Sequence, residues 1–537
     1  MIAPVNGETK MTRKWWTLIA VSVATFMLLL DITVVNTALP AIEEDLGASF
    51  TELQWVVDAY TLSLAALVLT AGVLADRLGR RRVFAAGLGI FTVASLLAGL
   101  ASDPTFLNLA RALQGVGGAV MFAVSLALIA QEFAAGRERG TAMGVYGATI
   151  GVAVAIGPLV GGALTDSLGW ESIFFLNVPI GVAAIAITYA KLRESRDPNA
   201  TRVDWAGLVT FSTALFLLVF GLLRGNEEGW GSTTIVGLLG GAGVLLALFL
   251  AIETRVSQPM LPLHLFRKPA FTGIQLAALG VSASMFALFL YTTFYLQGYL
   301  GHDPLEAGLR YLPFTVMNFF VAAAAGALIS RVPARVMLSV GLGATGIGML
   351  LMGGLDPADE WTALLGGFLV AGAGVGLINP VIADVAVSVV PKEQSGMASG
   401  INDTFRQVGI AVGIAAWGAL FLGRGADKVE QLAAGTPAAS GERPRLLVEA
   451  VSSGNLDAAL LGLPAGARER VADAAREGFL SGMNEIFMLG GLLALVAALL
   501  SLWLVRERDI ERAEPIEDIE LPQLEPRLEP ARDPVAA

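Results

Sequence analysis

Three charged residues stand inside long apolar runs of the sequence. Asp31 lies in LLLDITVVNTALP, Asp58 follows QWVV, and Arg111 lies in LARALQG. A charge at the centre of a lipid bilayer costs at least ~2.5–3.5 kcal/mol. Because apolar surroundings disfavour a charged carboxylate, such an aspartate could take up and release a proton near neutral pH, and a nearby arginine would favour its release. The three residues are therefore candidates for coupling proton movement to a change of conformation.

Each of these residues also has a plainer interpretation, and the sequence leaves both open. Asp31 could take part in a structural hydrogen bond with a neighbouring helix or with Thr33 or Asn36 nearby. Asp58 could be a partly solvated aspartate close to the membrane surface, and Arg111 could be a structural ion-pair partner. Spacing alone does not decide between these roles, since it does not give the azimuth of a side chain.

The composition of the 537 residues is that of a polytopic membrane protein. The chain is 55% hydrophobic and 15% charged, with a mean hydropathy of +0.68, whereas soluble domains carry about 25% charged residues. It has no cysteine, and its two histidines, His264 and His302, fall in predicted loops, so no metal site and no enzyme constellation is expected. There is no basic patch for nucleic acid, and no G-x-x-x-x-G-K-[ST] motif for a nucleotide. We expect no cofactor.

Apolar runs of about 20 residues, enough to cross the hydrocarbon core, predict fourteen transmembrane helices. Their approximate ranges are 15–38, 53–74, 83–101, 106–130, 141–164, 171–190, 204–223, 233–252, 270–298, 305–330, 334–354, 361–387, 396–421 and 484–505. Lys and Arg concentrate in alternate short loops, which predicts a cytoplasmic N-terminus. The even number of spans then places the acidic C-terminal tail in the cytoplasm too. On this topology Asp31 lies ~12 Å below the outer surface.

Two pairs of related segments indicate that the chain contains duplicated halves. GVLADRLGRRRVF from Gly72 has a fainter counterpart in GALISRVPARVML from Gly326, and RGTAMG from Arg139 has one in SGMASG from Ser395, at nearly the same offset. Duplicated halves are common in secondary transporters. We therefore predict two six-helix bundles with two extra helices inserted between them. The predicted segments are a cytoplasmic N-terminus 1–14, an N-terminal bundle 15–192, an inserted pair 203–253, a C-terminal bundle 268–505 that includes a long outer loop 423–483, and a disordered acidic tail 506–537.

Four motifs of the first five spans together resemble the major facilitator superfamily. GVLADRLGRRR is similar to its loop signature, LDITVVNTALP to the signature of its fourteen-span drug:proton antiporter branch, LARALQGVGG to its fourth-span motif, and GATIGVAVAIGPLVGG to its antiporter helix motif. The resemblance implies an all-α membrane protein of the major facilitator fold. For the loop motif, the resemblance favours a set of ion pairs that holds the cytoplasmic side closed. The alternative is a cluster of positive charges that only sets the orientation of the chain in the membrane. The candidate gating residues are Gly72, Asp76, Arg77, Gly79, Arg80 and Arg81.

The antiporter motif also has a direct physical interpretation. Gly147 and Gly151 are four residues apart, as are Gly157 and Gly161, and small residues at this spacing let helices approach closely. Pro158 removes a backbone donor and favours a kink. Tight packing alone and a functional bend remain alternatives; the resemblance implies a role in antiport and in limiting leak. The candidate residues of this motif are Gly147, Gly151, Gly157, Pro158, Gly161 and Gly162.

The C-terminal half carries Asp384, Asp403 and Arg406 about seven residues from the predicted inner membrane surface. They could reach that surface by extending along the helix, or Asp384 and Asp403 could serve a cationic substrate or a second proton. The stretch GARERVADAAREGFLSG in the long loop could form short amphipathic helices on the outer face.

The resemblance implies a proton-coupled efflux antiporter in the cytoplasmic (inner) membrane that exports lipophilic compounds, cationic or aromatic ones among them, by alternating access. Its partners would be a small-molecule substrate, protons and the bilayer, and we expect a monomer. A dedicated exporter of one antibiotic or metabolite is the alternative. A non-transporting membrane sensor is more remote, because the tail is short and rich in proline and acidic residues.

Overall fold

The computed structural model describes residues 7–197, 204–257 and 259–510, so the first six residues and most of the predicted tail lie outside the described residues. Within this part of the chain all regular structure is helical, which confirms the all-α prediction. The α-helices are α1 (Gly7–Leu46), α2 (Phe50–Leu78), α3 (Arg80–Gly99), α4 (Pro104–Glu132), α5 (Arg137–Leu168), α6 (Ser172–Phe175), α7 (Asn177–Lys191), α8 (Trp205–Glu228), α9 (Thr233–Glu253), α10 (Pro269–Thr293), α11 (Pro304–Arg310), α12 (Leu312–Leu328), α13 (Ala334–Met352), α14 (Leu365–Ser388), α15 (Ser395–Leu432), α16 (Arg443–Ser452), α17 (Leu456–Leu460) and α18 (Ala465–Leu504).

Local sequence signals set several of the helix ends. Before α2, the Ser49 hydroxyl accepts from the backbone N–H of Glu52, and the Glu52 carboxylate accepts from that of Ser49. This reciprocal pair satisfies two N–H groups that the first helical turn would leave unpaired. Asp103 caps α4, and Pro104 follows it. Between α2 and α3, Gly79 has a φ of +111°, a conformation in which other residues are strained.

Twelve helices of the described chain are long and apolar enough to cross a membrane. The other two predicted spans, 141–164 and 305–330, fall on α5 and on α11 with α12. Helix α12 is apolar but has only 17 residues. The protein is thus a multi-pass membrane protein, while the number of fourteen spans stays a prediction.

The long helices pack as two groups. In the first group α4 packs on α2 and α3, and α5 packs along α1; in the second α14 packs on α12 and α13, and α18 packs on α10, α13 and α15. The groups meet where α2 packs on α15 and where α5 packs on α12 and α14. We call them the N-terminal and C-terminal bundles, α1–α7 and α10–α18.

Helices α8 and α9 pack mainly on each other, and α8 also lies against α2 and α15. It therefore touches both bundles on one side of their boundary. Thr70 of α2 and Ser212 of α8 share a hydrogen bond of 2.9 Å, and Asn226 of α8 donates to the carbonyl of Ala415 on α15 at 3.0 Å.

The predicted outer loop differs from the expectation. GARERVADAAREGFLSG forms no separate short helix; it is the first part of α18, which continues to Leu504 without interruption. No proline interrupts the 40 residues of this helix, so the helical hydrogen bonding extends beyond the apolar run. The short helices α16 and α17 bury Leu447, Val448 and Leu460 against the C-terminal bundle. The loop is therefore largely helical and packed on its own bundle.

Candidate functional site

Asp31 lies at the centre of a buried polar network inside the N-terminal bundle. Its side chain is 1% exposed. Its carboxylate accepts from Arg111 Nη1 at 2.5 Å and from Gln114 Nε2 at 2.7 Å, both on α4. Asn177, at the start of α7, donates to it at 2.9 Å. Helices α4 and α7 thus contribute one charged group and two amides to a single carboxylate on α1, which fixes its position.

The Arg111 side chain is as fully enclosed as Asp31. Besides the ion pair, it donates to the backbone carbonyl of Val56 at 2.9 Å and to the Gln114 amide oxygen at 2.6 Å. Its guanidinium carbon also lies 4.4 Å from the centre of the Tyr60 ring, a cation–π contact. A charge-assisted pair with satisfied donors is the arrangement in which two charges can be buried together.

The local partners considered for Asp31 do not contact it. Thr33 donates to the carbonyls of Leu29 and Leu30, one turn back on its own helix. Asn36 donates in the same way to the carbonyl of Ile32. The hydrogen bonds of Asp31 therefore come from other helices, and they include a full charge.

Asp58 does not join this network and points towards the inserted helices. The charges that act on its carboxyl are Arg224 and Glu227 of α8. Gln54, one turn before Asp58, accepts from Arg224 at 3.3 Å and donates to Glu227 at 2.5 Å. Arg224 and Glu227 are themselves paired at 2.9 Å. The structure thus brings Asp31 and Arg111 together and places Asp58 at the boundary between α2 and α8.

The loop motif makes a polar connection between the two bundles. Asp76 accepts from Arg80 Nη2 at 2.8 Å and from the backbone N–H groups of Gly396 and Met397 at 3.0 and 2.8 Å. These two N–H groups lie at the start of α15, where a helix presents unpaired donors and a partial positive charge. Arg80 in turn donates to the carbonyl of Lys392 at 2.7 Å. One buried ion pair therefore holds the end of α2 on the start of α15.

The other residues of this motif support that junction. Gly72 packs against the backbone of Gly396, so a side chain there would separate α2 from α15. Arg77 lies among four carboxylates, those of Asp204, Glu253, Asp197 and Asp76; two of these belong to the inserted pair. Arg81 is held by Glu194, which accepts from its backbone N–H at 3.1 Å.

The glycines of the antiporter motif face two different neighbours. A Cβ on Gly157 or Gly161 would collide with the hydroxyl of Thr33 or Thr37 on α1. Gly147 and Gly151 instead face the C-terminal bundle: Gly147 lies against Pro380 of α14, and Gly151 lies against Asn318 of α12. Nothing lies within 4 Å of a Cβ built on Gly162. Pro158 falls within α5, and its side chain lies outside the described part.

In the C-terminal bundle Asp384 and Asp403 have different surroundings. Asp384 accepts from Arg139 Nε of α5 at 2.8 Å, and Arg139 also donates to Ser388 at 2.5 Å. This buried ion pair joins the two bundles directly, whereas Asp76 and Arg80 both belong to the N-terminal bundle and reach α15 through its backbone. Asp403 is 3% exposed and accepts from the Ser399 hydroxyl at 3.5 Å. Neither carboxylate reaches the surface along its helix.

Sequence reasoning missed Gln114, Asn177 and Arg139 as members of these sites. Gln114 follows Arg111 by three residues, so it shares a helix face with the arginine, and that spacing could have identified it. Asn177 is a polar residue inside a predicted span. Arg139 opens the repeated RGTAMG segment, but its partner lies 245 residues away. The described residues hold no group of three or more His, Cys, Asp or Glu placed to hold a metal ion.

Two helical bundles joined by polar contacts at one end suggest a transporter fold, and a comparison with protein families decides the matter. The family described as Major Facilitator Superfamily matches residues 21–414. The chain belongs to the major facilitator superfamily. Its membership confirms the prediction made from the four motifs, and it makes this chain a transporter rather than an enzyme.

Relatives within the major facilitator superfamily have names that refer to resistance and export. The chain is 35% identical over 506 residues to the tetracenomycin C resistance and export protein of Streptomyces glaucescens, covering 93% of each chain. It is 36% identical to the multidrug resistance protein Stp of Mycobacterium tuberculosis over 75% of each chain. The puromycin resistance protein pur8 of Streptomyces alboniger is 37% identical over 75% of this chain and 81% of its own.

Solved structures of the superfamily share the fold at low sequence identity. The human organic anion transporter MFSD10 has a TM-score of 0.59 and 14% identity, with 91% of this chain and 99% of that chain covered. The proton:xylose symporter XylE has a TM-score of 0.59 and 14% identity, with 93% and 97% covered. These likenesses establish the major facilitator fold and nothing about the substrate.

Proposed function

We propose that this protein is a proton-coupled antiporter that exports lipophilic compounds, cationic or aromatic ones among them, from the cytoplasm. The observation that carries the proposal is the buried ion pair of Asp31 and Arg111. Structural stability alone is a weak reason for burying such a pair, because desolvation can exceed the attraction. Ionisable residues inside membrane helices typically mark ion or proton pathways.

The names of the relatives support export of toxic compounds. Both multidrug resistance and resistance to one antibiotic occur among those names. A dedicated exporter of one antibiotic or metabolite is therefore the second candidate. Growth inhibition by a panel of unrelated drugs, measured in a host without its own efflux pumps, separates the two: a multidrug exporter protects against several classes, a dedicated exporter against one.

Protonation of Asp31 would remove the negative partner of Arg111 and leave a buried positive charge. That state is costly, so it favours a different arrangement of α1, α4 and α7. Thr33 and Thr37, which follow Asp31 on α1, pack against Gly157 and Gly161 of α5. Gly147 and Gly151, nearer the start of α5, pack on the C-terminal bundle. In our proposal α5 transmits the protonation state of Asp31 to the boundary between the bundles.

The state described has its predicted cytoplasmic side closed. The Asp76–Arg80 connection to α15 and the Arg139–Asp384 pair both cross between the bundles on that side. In this proposal a proton first binds to Asp31 from the outside, and the contacts between the bundles then break. The space between the bundles can then open to the cytoplasm and accept the substrate. Both termini would then lie in the cytoplasm.

The test uses everted membrane vesicles in which a pH gradient, acidic inside, drives uptake of a fluorescent cationic dye. Asp31→Asn should abolish gradient-driven uptake and reduce uptake in the absence of a gradient less strongly. Asp166→Asn is the matched control, because Asp166 is an exposed aspartate on α5 and its removal should leave transport unchanged. Full gradient-driven transport by Asp31→Asn would refute the coupling role of this residue.

A further inference from the structure

Arg406 of α15 is a charged side chain inside the C-terminal bundle with poor hydrogen bonds. It contacts Asn402 at 3.4 Å through Nε, and Nη1 and Nη2 both contact the amide oxygen of Asn379 at 3.4 Å. Good charge-assisted bonds are 2.7–2.9 Å long. The three contacts are therefore weak, and two of them share one acceptor.

Four arginines that are buried among the described residues are held differently. Each has a carboxylate oxygen at 2.5–2.9 Å, and the pairs are Arg80 with Asp76, Arg111 with Asp31, Arg139 with Asp384, and Arg224 with Glu227. Among the described residues no carboxylate oxygen lies within 4.0 Å of the Arg406 guanidinium, although Asp403 is only three positions away. Arg406 thus departs from the pattern that these four buried arginines follow.

The surrounding amides leave a surplus of donors. The Asn402 amide donates to the Gln275 carbonyl oxygen at 3.0 Å, while the Gln275 NH₂ group is buried and has no hydrogen-bond partner in the described part of the chain. If the Gln275 amide were reversed, its NH₂ group would face the NH₂ group of Asn402, and two donors would meet. The hydrogen-bond network therefore determines the orientation of the Gln275 amide. A guanidinium has five N–H donors and no acceptor. The cluster of Arg406, Asn379, Asn402 and Gln275 therefore has more N–H donors than acceptor oxygens.

This cluster faces the boundary between the bundles. Tyr146 of α5, in the N-terminal bundle, is close enough to interact electrostatically with both Asp403 and Arg406. Asn379 lies on α14 and Gln275 on α10, so four helices from the two bundles converge here. Arg406 itself is partly exposed, so protein atoms do not cover its side chain completely.

From this geometry we infer that Arg406 and Asn379 form a binding site for an anionic oxygen group, such as a carboxylate, carried by an otherwise lipophilic exported compound. A carboxylate fits a guanidinium through two parallel hydrogen bonds. It would supply further acceptors to the cluster and neutralise the charge. The inference rests on the proposed export function and narrows its substrate class, since a site for cations alone would have no use for this arginine.

The test is equilibrium binding of two dyes to the full-length protein in lipid nanodiscs, measured by fluorescence anisotropy. Tetramethylrhodamine carries a free carboxylate; its methyl ester has the same cationic ring system without that charge. The unaltered protein should bind the free acid at least about tenfold more tightly, the effect of one hydrogen-bonded charge. Equal affinities, tighter binding of the ester, or no binding of either dye would overturn the proposal.

Arg406→Gln should remove the preference by weakening free-acid binding about tenfold while leaving ester binding within about twofold. Arg424→Gln is the control on the same helix, because Arg424 is exposed and pairs with Glu485; it should keep the preference. If Arg406→Gln weakened the binding of both dyes equally, and Asp403→Asn did the same, the role of Arg406 would be structural instead. Efflux that depends on Asp31 but shows no carboxylate preference would refute this inference alone and leave the proposed function intact.

Discussion

Arg139 of α5 donates to Asp384 of α14 over 2.8 Å, and both side chains are buried where the two bundles meet. Removing one partner of such a pair leaves an uncompensated charge, which costs about 3–5 kcal/mol. In a transporter that alternates between conformations, this cost raises the free energy of the conformation in which the pair is formed. In the mechanism that we propose, the pair stabilises the state whose predicted cytoplasmic side is closed, and its loss should favour the open one.

Arg139→Gln should thus open the predicted cytoplasmic side. The chain has no cysteine, so a single Val387→Cys, buried against the N-terminal bundle, reports opening through its rate of reaction with a maleimide. We expect the rate to rise at least about tenfold, equivalent to about 1.4 kcal/mol. Lys14→Gln, which breaks the exposed pair with Glu138, should leave it unchanged. An unchanged rate in Arg139→Gln would argue against a gating role.

The loop motif gives a second prediction on the same side. Arg80 is 3% exposed and bonded to the opposite bundle, whereas Arg82 is 71% exposed. Arg80→Gln should therefore increase the same maleimide reaction about tenfold and slow transport, while Arg82→Gln should change both less than about twofold, as expected for a surface pair. Similar effects of the two substitutions would indicate that only the total charge of the loop matters.

The packing of α5 on α1 can be tested with adjacent glycines. Gly161→Ala places a methyl group against the Thr37 hydroxyl, whereas Gly162→Ala meets no atom within 4 Å. The first should destabilise the protein by about 1–3 kcal/mol through overpacking, and the second should be neutral or stabilising by up to about 1 kcal/mol. The thermal unfolding midpoint and the transport rate are the measurements. Adding Thr37→Ala to Gly161→Ala should recover part of the lost stability. If no stability were recovered, the steric clash of the added methyl group would not be with Thr37.

A fourth prediction concerns Asp58 and the inserted helices. Arg224→Gln removes the positive charge that acts on Asp58 and leaves Glu227 unpaired. We expect reduced transport, and partial recovery when Asp58→Asn is added, because the double variant has one less unpaired negative charge. Glu228→Gln, an exposed neighbour on the same helix, serves as the control. Strictly additive effects in this double-mutant cycle would mean that the two residues do not interact.

Much of the fold could be predicted from local features of the sequence. The apolar runs predicted helices at nearly all of the observed positions. Lipid offers no hydrogen-bond partner to the backbone, so a segment in the membrane must satisfy its own N–H and C=O groups, as a helix does. The long loop was the exception: its charged stretch was expected to be separate, but helical hydrogen bonding continues through a polar sequence as easily as through an apolar one. Hydropathy therefore located the membrane segment and not the end of the helix.

That Asp31, Asp58 and Arg111 are unusual follows from the order of residues along the chain, since a charge in an apolar run is visible without a structure. Which of them meet depends on how the helices pack. Asp31 and Arg111 form a pair, Asp58 faces Arg224, and among the described residues no carboxylate oxygen lies within 4.0 Å of Arg406, although Asp403 is three positions away. The partners of a side chain depend on the direction in which it leaves its helix and on the helix that packs there. The free-energy cost of placing a charge in an apolar run depends on that run alone.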